Sequence, residues 1–353
     1  MLKPITILLL SACLPLIFTS CGNEDEPVIT SEDLSLVVQL SDNMLAYHDG
    51  EEYILNEYSA TISTEVINGT LYYLTYSNST PVLYIMKEGK MERKAFPYVS
   101  NKYSQISPHR YILLKGNVYI FASCKRSDGK VICALFKNGK EIHSIDETLV
   151  NNGSNKGFYI DKQTGDIYIA GCTGSGHETT VTVWKNGEIV YQHPYISTEI
   201  IDYYYYNERY YNIYDITAEN GNWFLTMQYD GWGYDGDIFY CVKNGVEQEF
   251  SIKSHNVSIY KNIVKDGKLY WIGAYEGHPT LWVDGKIQQQ YNEIGNYTDI
   301  KFNGNDIYLS GLLFDEYYLQ RFPLLTLNGK KLSHPFLDAI KEEVYNVQMA
   351  FPY

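Results

Sequence analysis

From Val181 to Val190 the chain reads Val-Thr-Val-Trp-Lys-Asn-Gly-Glu-Ile-Val: an apolar run, a polar turn, then renewed alternation. Asn-Gly between two such runs predicts a β-hairpin, because both central residues of a type I′ turn need positive φ. The pattern recurs at Leu135-Phe136-Lys137-Asn138-Gly139, Val242-Lys243-Asn244-Gly245, Leu281-Trp282-Val283-Asp284-Gly285 and Thr326-Leu327-Asn328-Gly329, with Ile85-Met86-Lys87-Glu88-Gly89 a degenerate copy. The turn glycines at 89, 139, 187, 245, 285 and 329 lie 50, 48, 58, 40 and 44 residues apart. A second motif precedes each of them by 18 to 25 residues: Gly69-Thr70-Leu71-Tyr72, Gly116-Asn117-Val118-Tyr119, Gly165-Asp166-Ile167-Tyr168, Gly221-Asn222-Trp223-Phe224, Gly267-Lys268-Leu269-Tyr270 and Gly304-Asn305-Asp306-Ile307-Tyr308. Each repeat therefore parses as four short strands. One precedes the Gly-x-apolar-Tyr motif, one runs through it, one leads into the Asn-Gly turn and one leaves it.

A period in the forties with four short strands is the pattern of a β-propeller blade, which buries its faces only by stacking on its neighbours. The chain ends complete the count. Leu34–Leu40 and the weak hairpin around His48-Asp49-Gly50 supply three strands with no first strand before them. Val344–Met349 looks like a first strand with no blade after it. Their pairing closes the ring and removes exposed sheet edges. The sequence thus predicts an all-β, seven-bladed β-propeller over residues 33–353, with six blades as the alternative. A tandem of immunoglobulin-like sandwiches fits less well, since such domains need about 100 residues and less uniform hairpin spacing.

Composition narrows the reading. Tyrosine, a strand former with an apolar body and a polar tip, fills 35 of 353 positions. A net charge of −14, without a basic stripe, argues against nucleic acid as a partner.

Residues 1–20 are expected to be a signal peptide. Lys3 gives a positive start, and the apolar segment from Ile5 to Phe18 is too short to span a membrane as a mature helix. Phe18-Thr19-Ser20-Cys21 resembles the bacterial lipoprotein signal, which implies lipidation at Cys21, palmitate included. The acidic tether over residues 21–32 begins Gly22-Asn23-Glu24-Asp25-Glu26-Pro27 and resembles the surface-export signal of Bacteroidetes lipoproteins. The alternatives are an ordinary secretory signal with an incidental cysteine, and a merely solvated tether. The implied location is the outer membrane, held by the lipid anchor alone and facing the cell surface, with the periplasmic leaflet as the alternative. Each buried CH₂ of such an anchor contributes about 0.8 kcal/mol. The Trp-Lys-Asn-Gly and Gly-Asn-Asp-Ile-Tyr-Leu-Ser-Gly phrases resemble a repeat of many Bacteroidetes lipoproteins of unassigned function. The resemblance covers most of residues 60–335, supports repeat type and compartment, and brings no catalytic motif with it.

Four cysteines lie beyond the tether, at 124, 133, 172 and 241, in no zinc-ribbon spacing. A two-residue turn at Asp128-Gly129 would set Ser127 opposite Lys130 and Cys124 opposite Cys133. In an oxidising compartment a cross-strand disulfide between Cys124 and Cys133 is then expected, two separate strand cysteines being the alternative.

Strand parity locates the chemistry. The tight turns share one face of the disc, and the second-to-third loops and inter-blade links share the other, where binding residues usually reside. Three segments of that irregular face are rich in aromatic and acidic residues: Tyr191–Tyr211, Tyr229–Asp237 and Phe314–Arg321. Tyr204, Tyr206, Arg209, Asp230, Trp232, Tyr234, Asp235 and Asp237 are the candidate ligand-binding residues, for a glycan or a protein. Plain packing of the rim is the competing reading. Asp230, Asp235 and Asp237 among glycines suit Ca²⁺ in residue type but miss the EF-hand spacing, so no metal is assigned. Paired carboxylates in these loops leave a propeller glycosidase or polysaccharide lyase as the enzymatic alternative, and an outer-membrane scaffold subunit as a third. His177 and His278 are expected in comparable loops. Trp184, Trp271 and Trp282 fall at repeat positions and read as blade packing. No His-Glu-x-x-His, Gly-x-Ser-x-Gly or Walker motif occurs, and neither a catalytic residue nor a cofactor is assigned.

Overall fold

The computed structural model describes residues 34–41, 43–55, 63–77, 80–97, 102–145, 156–175, 178–196, 211–229, 237–254, 256–315 and 320–351. They form seven antiparallel sheets of four strands each. Six sheets are continuous in sequence, over 63–95, 103–145, 156–196, 211–254, 257–290 and 295–331, and are numbered blades 1 to 6. Blade 7 is composite. Val344–Ala350 pairs with Ser35–Leu40, which is followed by Met44–His48 and Glu51–Leu55. Leu36 lies opposite Met349, and Val38 opposite Val347. The first and last described strands therefore pair as the sequence predicts, and the ring has seven blades. The first strand of each blade is innermost, and each touches the innermost strands on both sides.

Alternation along the strands explains the stacking. Successive side chains point to opposite faces of a sheet, and here a neighbouring blade covers each face. Val37 joins Leu71 and Tyr73 in the gap toward blade 1, whereas Leu36 and Val38 join Leu312 and Leu325 in the gap toward blade 6. Seven apolar clusters result, one per gap. Trp184, Trp271 and Trp282 are buried in these gaps, as expected. The Asn-Gly motif is a two-residue turn with positive φ at both positions in each of its copies, and so is the Gly-x-apolar-Tyr motif in four of its six; the copies at Gly165 and Gly304 have positive φ at the glycine alone. Asn186 and Gly187 have φ of 51° and 89°, and Asn220 and Gly221 have 51° and 79°.

Two features depart from the repeat. Blade 6 ends in a fourth strand of only two residues, Lys330–Lys331. Pro335, which cannot donate to a ladder, instead opens the short helix Pro335–Ala339. Phe336 and Leu337 of that helix are buried, and Phe336 stacks on Tyr47 of blade 7 with ring centroids 5.4 Å apart.

The second departure corrects the expected disulfide. The Arg126 N–H donates to the Lys130 carbonyl at 2.8 Å, so the loop holds three residues rather than two. Cys124 then lies opposite Ile132, and Cys133 opposite Ser123. A slip of one residue sends side chains to opposite faces. Cys124 faces the gap with blade 1 and Cys133 the gap with blade 3, and no disulfide joins them.

Candidate functional site

A cavity of about 460 Å³ opens among strand ends on the irregular face. Asn296 and Thr298 come from the start of the innermost strand of blade 6, Gly295–Asn303. Phe314 ends the second strand of that blade and Arg321 begins its third. Tyr345 and Asn346 start the innermost strand of blade 7, and Tyr260 belongs to that of blade 5. Small-ligand sites usually enclose about 300–1,000 Å³.

β-Bulges shape this wall. The innermost ladders slip between Ile259 and Lys261 and between Tyr297 and Asp299. Each slip inserts a residue that the partner strand does not oppose, which re-aims its side chain. Tyr260 is one such residue and stands 50% exposed. In the same lining, the Arg321 guanidinium lies 4.7 Å from the centre of the Tyr345 ring. Glu343 fixes both: its Oε1 is 3.5 Å from Arg321 Nε, and its Oε2 accepts from the Tyr345 hydroxyl at 2.9 Å. Asn296 and Asn346 each bury a carboxamide oxygen that accepts no hydrogen bond. An orphaned buried acceptor costs about 1–3 kcal/mol.

The same slips turn charges inward. Arg110, Asp215, Lys261 and Asp299 each follow a bulge on an innermost strand. Arg110 Nη2 lies 3.5 Å from Asp215 Oδ1 and donates to the Tyr214 carbonyl at 3.1 Å. Lys261 Nζ donates to Asp299, whose second oxygen is 4.0 Å from Lys301 Nζ and accepts the Met349 N–H at 3.2 Å. Burial raises the Asp215 carboxyl despite Arg110. Burial would raise Asp299 too, but the two ammonium groups and the Met349 amide outweigh it and hold that carboxyl below its usual range. These groups are paired with one another and tie blades together. On the tight-turn face, Asp161 accepts the Gly221 N–H at 2.7 Å and Glu219 the Gly267 N–H at 2.8 Å, strapping blade 3 to 4 and blade 4 to 5.

Of the sequence candidates, Cys21, Tyr204, Tyr206, Arg209, Asp230, Trp232, Tyr234 and Asp235 lie outside the described residues, as does His177. Asp237 opens the third strand of blade 4, Asp237–Lys243, and its side chain lies outside the description. His278 is not in a loop as expected: a two-residue turn at 276–277 leaves it as the first residue of the third strand of blade 5, opposite Tyr275, with its Nδ1 3.2 Å from the Glu293 carbonyl oxygen. Among the described residues no three His, Cys, Asp or Glu side chains cluster as for a metal ion. Phe314 and Arg321 are the ends of a loop whose aromatic and acidic residues stand out in the sequence, whereas Asn296 and Asn346 lie outside every candidate segment. Their signal was available: asparagine is a poor strand former, and both sit near the start of an innermost strand.

One constellation has the residue types of a hydrolytic triad. Ser35 Oγ is 2.8 Å from His48 Nδ1, and Asp49 Oδ2 is 3.3 Å from His48 Nε2. Ser35 and His48 are only 5% and 1% exposed, so no substrate carbonyl reaches the hydroxyl. His48 Nε2 also lies 3.2 Å from the Gly69 carbonyl oxygen, which makes the group a brace between blades 7 and 1.

No protein-family model and no curated protein matches the chain. Solved structures do. An acylaminoacyl peptidase in complex with Z-Gly-Gly-Phe-chloromethyl ketone matches with a TM-score of 0.51 and 10% identity, over 86% of this chain and 50% of that one. A puromycin hydrolase matches with a TM-score of 0.51 and 12% identity, over 88% of this chain and 54% of that one. The chain thus spans about half the length of each. At this identity the likeness is one of fold. The protein is a seven-bladed β-propeller with a cavity among the strand ends of blades 5, 6 and 7.

Proposed function

We propose that the protein is a cell-envelope lipoprotein whose propeller is a binding module, taking a glycan or protein ligand at the irregular-loop face. The observation that carries the binding reading is the cavity at Tyr260, Asn296, Arg321 and Asn346, with its two orphaned carboxamide oxygens. Strand ends of blades 5, 6 and 7 supply its walls, on the face where the sequence leads us to expect the loops richest in tyrosine and aspartate. The lipobox-like Cys21 and the acidic tether support the envelope location.

Two experiments test the two halves. Metabolic palmitate labelling should mark the protein and vanish in Cys21→Ala, and protease treatment of intact cells should degrade it if it faces outward. Envelope glycans and proteins should be captured by the mature chain and lost when the irregular face is altered at Tyr260 and Trp232. Release of reducing ends from a captured glycan would replace the binding-only reading with a propeller glycosidase or lyase. Stable co-purification with outer-membrane proteins would favour a scaffold subunit.

A further inference from the structure

We infer that the cavity between blades 5, 6 and 7 binds a neutral pyranose unit of a glycan; the inference rests on the binding-module reading and names its ligand. Three observations point the same way. Tyr260 is half exposed and lines the same cavity as Phe314, and an aromatic face suits the apolar C–H face of a sugar. Asn296 and Asn346 line the cavity from adjacent innermost strands, and each has a carboxamide oxygen with no donor, closed to solvent in this conformation, so a sugar hydroxyl meets it once the side chain turns toward the cavity. A carboxamide both accepts and donates, which matches a hydroxyl that does both. Finally, the lining holds one charged side chain, Arg321, and Glu343 already opposes it at 3.5 Å. A uronate or sulfate would find no uncommitted cation in the lining, and would approach a protein of net charge −14.

Isothermal titration of the full mature chain decides the matter. The probes are gluco-, manno-, galacto- and xylo-oligosaccharides, set against oligogalacturonate. At least one neutral oligosaccharide should bind. Asn346→Ala, Asn296→Ala and Tyr260→Ala should each weaken it about tenfold, the share of one well-made contact. Tyr260 is exposed, so that variant should keep its melting temperature and guard against a folding artefact. Absence of binding by every neutral probe, tighter binding of oligogalacturonate, or neutral binding unchanged in all three variants would each overturn the inference. Capture of a ligand that depends on Trp232 but on none of these three residues would keep the binding module and remove this assignment.

Discussion

The Asn186 carboxamide donates to Asp166 Oδ1 at 2.8 Å while its oxygen accepts the Ile167 N–H at 2.9 Å. This one side chain joins the two repeated motifs. The same link recurs as Asn138 to Asn117 at 2.9 Å, Asn244 to Asn222 at 2.9 Å and Asn328 to Asp306 at 2.8 Å. Lys185 Nζ completes the unit 2.8 Å from Asp166 Oδ2, and with Asn186 it holds the Asp166 carboxyl below its usual range. The Trp-Lys-Asn-Gly phrase is thus four separate demands: a core indole, a partner for the neighbouring acid, a bridge between turns, and a residue that tolerates positive φ.

Asn186→Ala removes the bridge and leaves a Cβ residue at a φ of 51° without asparagine's local hydrogen bonding. We expect a loss of about 1–2 kcal/mol from the hydrogen bonds alone, read as a lower urea midpoint with unchanged slope. Asn186→Gly relieves the φ strain but not the lost bonds, so it should fall between Ala and the native residue.

Gly187 has a second reason to be glycine. A Cβ there would lie 2.4 Å from His143 Cε1 of the preceding blade. Gly165 shares the positive φ, at +77°, but a Cβ there would meet nothing within 4 Å. Gly187→Ala should therefore cost about 1–3 kcal/mol more than Gly165→Ala, the usual range for overpacking. Equal melting temperatures for the two variants would show that the imidazole moves aside freely.

This contrast marks what was legible in the chain. Turn glycines, alternation and the unmatched strands at the ends carry the fold, because local φ and period-2 burial are written in neighbouring residues. The Cys124–Cys133 register was misjudged because Gly129, with a φ of 86°, closes a three-residue loop that Ser127-Asp128-Gly129 does not distinguish from a two-residue turn. The cavity was only half legible. Phe314 and Arg321 border a conspicuous loop, but Asn296 and Asn346 lie 50 residues apart and meet only because the ring closes between blades 6 and 7.

The corrected cysteines have a chemical consequence. Burial pushes the Cys124 and Cys172 thiols up to about 12. The thiolate is the reactive form, so alkylation by iodoacetamide at pH 8 should be slow in the native protein and fast in denaturant. The thiol count of denatured protein should be the same with and without reductant. A rise on reduction would restore a disulfide.

Asp299 gives the ring an acid sensitivity. Its carboxyl sits below the usual range when folded, so the unfolded chain takes up the proton more readily. The stability it contributes is present above the unfolded value near 3.9 and is lost as pH falls through the folded value. Asp299→Asn should lower stability at pH 7 by about 3–5 kcal/mol, the cost of breaking a buried pair. It should also flatten the decline of stability below about pH 4. Equilibrium unfolding from pH 3 to 7 provides both readouts, and an unchanged acid limb would show that other carboxylates dominate it.

The last strand should be indispensable. Val344, Val347 and Met349 are fully buried, and each such side chain contributes about 1.5–3 kcal/mol on burial. Together they approach the whole stability of an ordinary domain, about 5–15 kcal/mol. Removing residues 344–353 also strips the donor Met349 N–H from Asp299 and leaves Ser35–Leu40 as an open edge carrying Leu36, Val37 and Val38. Open edges recruit other strands. We expect the shortened chain to lose its cooperative thermal transition and to run as oligomers in gel filtration, and a synthetic peptide of residues 343–353 to restore the monomer. A shortened chain that stayed monomeric, with its melting temperature intact, would mean that blade 7 closes without its innermost strand.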